Sequence, residues 1–238
     1  MTPPVRTSAL PGREAELGRV LAVLDRRAPA VVSIRGARGS GKSAVTTAVV
    51  AEAARRGWCV TPYVDGRGVR VSGWTSETAL CQDLAGALEL PAVPPPDTLR
   101  GLVPLLLGRA AETPVLVVLD PYAPSTRLAS LLRRHVLGRV RGSGLPVVLL
   151  VVTRGRLQGL PADLELEVLP PREDGVACAL QAAAQGVVPP LGDDELAAYV
   201  AAARGRPRLL ASLTALLPLS RPGAGHELPS PRPPAGLS

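Results

Sequence analysis

The sequence predicts an α/β fold, a parallel sheet with helices on both faces, and three observations carry that prediction. Short apolar runs alternate with stretches of helical periodicity from Val31 to Leu169, the pattern of repeated strand–helix–strand units. Two of those runs, Val115–Leu119 and Val147–Val152, are apolar throughout, as strands buried on both faces must be. The first run, Val31-Val32-Ser33-Ile34, leads directly into Gly36-Ala37-Arg38-Gly39-Ser40-Gly41-Lys42-Ser43, a strand-to-helix turn that fits G-x-x-x-x-G-K-[ST].

Taken in order, residues 1–10 are polar and proline-containing and read as an extended strap. Leu17, Val20, Leu21 and Leu24 recur at helical spacing and predict a helix over Glu14–Arg27. The strand Val31–Arg35 follows, then a helix over Ser43–Arg56, although Val45, Thr46, Thr47, Val49 and Val50 are β-branched and locally favour a strand. The glycine-rich turn demands a helix start there, and that context decides. Gly57 suits the end of this helix, and Trp58–Val64 reads as a second strand with Asp65-Gly66 turning away. Ser76 can cap a helix through Leu80, Leu84 and Leu88, ending near Leu90, and Asp97 a further one through Leu99, Leu102, Val103, Leu106 and Leu107. Val115–Leu119 is the third strand, Ser125–Arg141 a helix, Val147–Val152 the fourth strand and Leu164–Leu169 a fifth. From Pro171 onward only helical patterns occur, over Arg172–Gln185, Asp193–Arg204 and Pro207–Leu217, before a Pro/Gly-rich tail that reads as disordered. The domains expected are therefore a strap (1–10), a nucleotide-binding domain (11–170), a helical subdomain (171–217) and a tail (218–238).

The turn at 36–43 is a phosphate-binding loop by its chemistry. Glycines allow successive backbone N–H groups to face one anion, the helix adds the positive end of its dipole, and Lys42 adds a full charge. All eight residues, Gly36, Ala37, Arg38, Gly39, Ser40, Gly41, Lys42 and Ser43, are candidates for nucleotide contact, and the Ser43 hydroxyl is a candidate ligand for Mg²⁺. Of the 27 basic residues only Lys42 is a lysine. A chain that has made every other basic position arginine and kept one lysine here points to a site that a broad, planar guanidinium does not fit.

Two strand ends supply partners. Val115–Leu119 ends in Asp120, an acid placed to hold Mg²⁺ in a nucleoside-triphosphate site. The fourth strand ends in Thr153-Arg154, where an arginine can sense a γ-phosphate. Lys42, Asp120 and Arg154 are thus the candidate catalytic residues and Ser43 and Asp120 the candidate metal ligands. Position 121 is proline, and no Asp or Glu occurs between Asp120 and Asp163, so no local acid stands ready to polarise an attacking water. Slow or absent hydrolysis is expected.

In this order Gly12-Arg13-Glu14, the loop at 36–43, the strand ending in Asp120, Thr153-Arg154 and Gly205-Arg206-Pro207 resemble the NB-ARC-like STAND branch of AAA-type P-loop ATPases, over residues 8–217. The resemblance implies a five-stranded sheet of order 5-1-4-3-2, in which Val147–Val152 separates the loop-bearing strand from the Asp120 strand. It implies ATP or ADP with Mg²⁺ as ligands, residues near Leu10–Arg13 beside the adenine, Pro207 against the nucleotide, and a switch that works through protein partners or self-assembly. Members of that branch continue into a winged-helix domain with a phosphate-reading histidine. Neither His135 nor His226 stands in such a context, leaving open a module that borrows its sensor from a partner chain, or a piece of a longer protein.

Composition narrows the rest. A net charge of +7 and pI near 10.3 come from scattered arginines, and with no Phe, two Trp and three Tyr there is little to stack on bases, so nucleic acid is the less favoured partner. Three unpaired cysteines, Cys59, Cys81 and Cys178, lack pairing spacing and read as reduced, buried thiols. No run approaches the ~18 apolar residues of a membrane helix, and MTPPVRTSAL has no signal-peptide pattern, which together predict a cytoplasmic protein without membrane attachment. Three alternatives stay open: a nucleic-acid-associated ATPase resembling origin-recognition or helicase-loading proteins, an ATP-binding pseudo-ATPase scaffold, and a small-molecule kinase.

Overall fold

A computed structural model describes residues 13–63, 68–71, 76–90, 96–157, 159–170, 173–184, 192–203 and 207–216. The chain divides into two compact units, Met1–Pro171 and Arg172–Ser238. The first holds α1 (Glu14–Asp25), β1 (Ala30–Arg35), α2 (Lys42–Arg55), β2 (Cys59–Val60), α3 (Glu77–Ala87), α4 (Leu99–Glu112), β3 (Val115–Leu119), α5 (Thr126–Leu131), α6 (Gly138–Ser143), β4 (Val147–Thr153) and β5 (Leu164–Glu167). The expected strap and tail lie outside the described residues.

The five strands form one parallel sheet of order β2-β3-β4-β1-β5, the order expected. Side chains alternate across it, and each face is closed by its own helices. Val32, Ile34, Leu116, Val118, Val148, Leu150 and Leu166 pack with Val20 and Leu24 of α1 and with Val45, Val49 and Ala53 of α2. Val31, Val115, Val117, Leu119, Val147, Leu149 and Val151 pack with α3, α4 and the helical stretch from α5 to α6. With both faces covered, every residue of β3 and β4 is buried, which is why those strands carry no polar residue before their ends.

The β-branched start of α2 is helical. Its hydroxyls find backbone partners one turn back, Thr46 Oγ1 on the Lys42 carbonyl (3.0 Å) and Thr47 Oγ1 on that of Ser43 (2.8 Å), so they do not compete with the helix for its amides. Gly57 follows with φ +78°, the left-handed ending that glycine permits.

Four expectations change. The second strand is only Cys59–Val60, at the sheet edge. Trp58 is buried in the core beside it, and Val64 to Gly66 fall outside the described residues. Thr98, not Asp97, caps α4, its hydroxyl accepting from Gly101 N–H (3.2 Å). The helix predicted over Ser125–Arg141 runs from α5 through a π-helical turn, Leu132–Leu137, into α6. That turn lets Leu132, Val136 and Leu137 all reach the core. Of the cysteines, which are free, Cys81 is buried but Cys178 is exposed.

The second unit comprises α7 (Glu173–Ala184), α8 (Asp193–Ala203) and α9 (Pro207–Leu216). They meet around Val176, Leu180 and Ala203, with Leu196, Tyr199, Val200, Leu210 and Leu213 packed against these. Among the described residues no helix is long and apolar enough to cross a membrane.

On the α2 side of the sheet, Glu52 is buried and accepts from Arg55 Nε (2.9 Å) and Arg56 Nε (2.7 Å), and Arg56 also reaches Asp25 at the end of α1. The hydrogen bonds from Arg55 and Arg56 hold the Glu52 carboxyl below the usual carboxylate range, against the opposing effect of burial. A depressed carboxylate stabilises the fold above its unfolded pKa, and that contribution is lost as pH falls through the folded value. Glu52→Gln is expected to cost about 1–2 kcal/mol at neutral pH, with the gap between variant and parent closing in acid. Urea unfolding of both proteins across pH checks this.

Candidate functional site

The site begins where β1 ends. At Gly36 an added Cβ would lie 2.3 Å from the Val168 carbonyl oxygen and 2.7 Å from Ser40 Oγ, closer than any side chain tolerates. The loop turns through a Ser40 N–H bond to the Ala37 carbonyl (3.2 Å) and reaches α2 through Gly41, whose φ of +97° suits glycine alone. Gly41 brings no side-chain cap to α2, and no acid stands in its first turn. The amides of Lys42 and Ser43 therefore open the helix with no carbonyl four residues back to accept them.

The Lys42 ammonium folds back over this loop and donates to the carbonyls of Gly36 (2.7 Å) and Ala37 (2.8 Å). Its pKa is lowered, first by burial, with the Asp120 carboxylate opposing and Arg154 adding to the shift. Lys42, Asp120 and Arg154 thus share one electrostatic neighbourhood, although they come from α2 and from the ends of β3 and β4. Arg154 is exposed and Thr153 before it is buried, its hydroxyl donating to the Gly155 carbonyl. Of the other loop residues, Ala37, Arg38 and Ser43 are exposed, and Ser40 is buried with its Oγ lacking a protein partner among the described residues.

Asp120 is buried at the end of β3, its N–H donating to the Val69 carbonyl (3.0 Å). Tyr63 donates its hydroxyl to Asp120 Oδ2 at 2.9 Å. The Tyr63 pKa is pushed up, first by burial and then by the Asp120 charge, with the Ser43 and Thr46 hydroxyls acting in the opposite direction. Pro121 follows Asp120 and is exposed, and Tyr122 N–H then donates to the Val152 carbonyl (2.9 Å).

Two participants were not evident as such in the sequence. Arg13 belongs to the Gly12-Arg13-Glu14 motif, but its guanidinium binds protein: it donates to the Ser40 carbonyl (2.9 Å), to Glu16 (2.9 Å) and to the Leu169 carbonyl. It ties the loop to the chain leaving β5. Tyr63 carries no motif, yet it is one of three tyrosines and follows a strand end, as Asp120 and Arg154 do. Pro207 opens α9 in the second unit. Its side chain, Gly205 and Leu10 to Gly12 lie outside the described residues, so their expected nucleotide contacts rest on the resemblance alone.

These groups fit an anionic ligand and a hard cation. The loop offers helix-start amides, one ammonium and no carboxylate, and Asp120 and the Ser43 hydroxyl supply oxygen donors beside it. Among the described residues no cluster of three or more His, Cys, Asp or Glu forms a metal site by itself.

A parallel sheet of this order with the loop after β1 defines a P-loop NTPase. The chain belongs to the AAA ATPase domain family, whose signature matches residues 9–169. No curated protein sequence matches it. Among solved structures it is similar to the Aeropyrum pernix ORC1 protein in complex with DNA (22% identity, TM-score 0.62, covering 89% of this chain and 60% of that one). It is also similar to Cdc6p from Pyrobaculum aerophilum (14%, TM-score 0.56, 86% and 65%) and to a STAND protein with a tetratricopeptide-repeat sensor from Pyrococcus horikoshii (15%, TM-score 0.57, 90% and 30%). The chain thus spans 60% of the ORC1 chain's length and less than a third of the STAND protein's. At these identities the likeness is one of fold.

Because the obstacle at Gly36 is the backbone oxygen of Val168, no side-chain rotation relieves it. Gly36→Ala is expected to destabilise the first unit by about 2–4 kcal/mol, read by thermal or urea unfolding. Gly18→Ala, where an added Cβ meets nothing within 4 Å, serves as the control and is expected to be neutral or slightly stabilising.

Proposed function

We propose that this chain is an ATP- and ADP-binding module of the STAND type, a nucleotide switch with slow or absent hydrolysis that acts through protein partners or self-assembly. The observation that carries the reading is the convergence of Lys42 and Asp120 at the glycine-rich loop, with proline at the position after the acid. In this reading the loop residues 36–43 bind the phosphates, and Lys42 exchanges one or both carbonyl contacts for phosphate oxygens. Ser43 and Asp120 hold Mg²⁺, and Arg154, exposed beside Lys42, contacts the terminal phosphate. Bound Mg²⁺ supplies charge neutralisation between the phosphates. Pro121 offers neither charge nor proton acceptor, and the absence of a positioned general base costs about 10²- to 10⁴-fold in rate. Binding is retained while cleavage is slow, which suits a protein whose output is the bound state.

A second reading, attachment to nucleic acid, has one observation in its favour. Between Asp120 and Asp163 there is no acidic residue, and Arg127, Arg133, Arg134 and Arg139 are exposed along the stretch from α5 to α6. Binding to duplex DNA that weakens steeply as salt is raised favours this reading.

The purified chain is expected to bind a fluorescent ADP analogue, and Lys42→Ala to weaken that binding at least about tenfold, since charged hydrogen bonds are lost. Unchanged affinity in Lys42→Ala overturns the site. Steady-state phosphate release on the order of tens per second overturns the slow-turnover part.

A further inference from the structure

Neither the loop motif nor the strand-end acid accounts for Tyr63. It reaches its position because the chain beyond β2 stays alongside β3. Thr61 N–H donates to the Leu116 carbonyl (3.1 Å), and the buried Thr61 Oγ1 accepts from Val118 N–H (2.8 Å). Thr61 therefore replaces strand pairing with a side-chain bond, and two residues later Tyr63 arrives level with the end of β3. Its ring is half-buried against the core of the α2 face. Its hydroxyl donates to Asp120 Oδ2 at 2.9 Å, and the Ser43 and Thr46 hydroxyls lie close enough to act on it.

Resting on the nucleotide-site reading above, we propose that Tyr63 is a positioning residue that competes with the divalent cation for Asp120. One of the two groups assigned to the cation is the acid to which the Tyr63 hydroxyl donates. An acid that accepts a tyrosine hydrogen bond has one lone pair fewer for a cation or its water. Metal loading on the Asp120 oxygen that accepts this bond must separate the phenol from it, so the tyrosine holds the metal corner in a protein-satisfied state and lowers cation affinity. The phenol is suited to this because it satisfies the buried carboxylate with a neutral donor. A lysine or arginine there would bind the acid too tightly to release it. A phenylalanine would remove this donor from the carboxylate.

The test is a Mn²⁺ titration of the full chain preloaded with ADP, with free Mn²⁺ read by its electron paramagnetic resonance signal. Tyr63→Phe, which keeps the ring packing, is expected to tighten Mn²⁺ binding about tenfold or more, the worth of one hydrogen bond to a charged group. Its affinity for the ADP analogue in EDTA should stay unchanged. Unchanged or weaker Mn²⁺ binding in Tyr63→Phe, with ADP binding intact, overturns the competition while leaving the nucleotide reading standing. Failure of the parent chain to bind ADP at all overturns both. A second measurement needs no variant. Adding Mg²⁺ to the parent chain loaded with ADP should change the near-ultraviolet difference spectrum of tyrosine, as the phenol leaves a carboxylate. A flat difference spectrum overturns the proposal.

Discussion

The site hangs from the double pairing of β1. This strand is bonded to β4 along one edge and to β5 along the other, and its first five residues are buried, so nothing about its end can shift without breaking ladders on both sides. The pairing with β5 continues one step beyond the named strands, with Val168 N–H donating to the Arg35 carbonyl at 2.7 Å. That bond brings the Val168 carbonyl across the start of the loop, into the space that any side chain at position 36 would need. The glycine is thus demanded by the sheet as well as by the ligand chemistry. Arg13 then fastens the other side of the loop, reaching Ser40 and Leu169 together.

How much of this was legible follows from what kind of signal each feature leaves in a sequence. β3 and β4 are buried on both faces and have no choice but to read as unbroken apolar runs. The loop needs glycines and a lysine at fixed spacing. Both were plain, and with them the sheet order that the resemblance implied. β2 was misjudged in length because it is an edge strand whose pairing with β3 is taken over by the Thr61 hydroxyl, and a threonine in an extended run reads the same whichever bond it makes. The π-helical turn at 132–137 is invisible for a similar reason: Leu132, Val136 and Leu137 are apolar in either helix, and only the packing shows that all three point inward.

The site was legible residue by residue but not as a network. Lys42, Ser43 and Asp120 could be named because each occupies a position with a chemical requirement. Their mutual arrangement could not, since it depends on which side chains the fold places between them. Tyr63 and Arg13 are of that kind. A tyrosine at a strand end has many uses, and the Gly12-Arg13-Glu14 motif marked Arg13 without showing that it binds the Ser40 and Leu169 carbonyls. The family assignment does not close this gap. Membership of the AAA ATPase domain family and likeness of fold to ORC1, Cdc6p and a STAND protein define the scaffold, and those proteins are too distant in sequence to lend this chain their partners.

The charges around Asp120 bear on what the scaffold can do. Two cationic side chains, Lys42 and Arg154, act on the same small volume, while the nearest acid later in the sequence is Asp163, which spends its carboxylate on Val31 N–H and Arg141. A polyanion with its metal balances such a centre, and binding is favoured on charge alone. Hydrolysis asks for something different, a group that takes a proton from water beside the terminal phosphate. Lysine and arginine are protonated and cannot accept one, Asp120 is the acid assigned to the cation, and Pro121 has no polar side chain. On the proposed reading, the residues that would draw a nucleotide to this centre are not ones that would cleave it, in keeping with a switch read out by its occupancy.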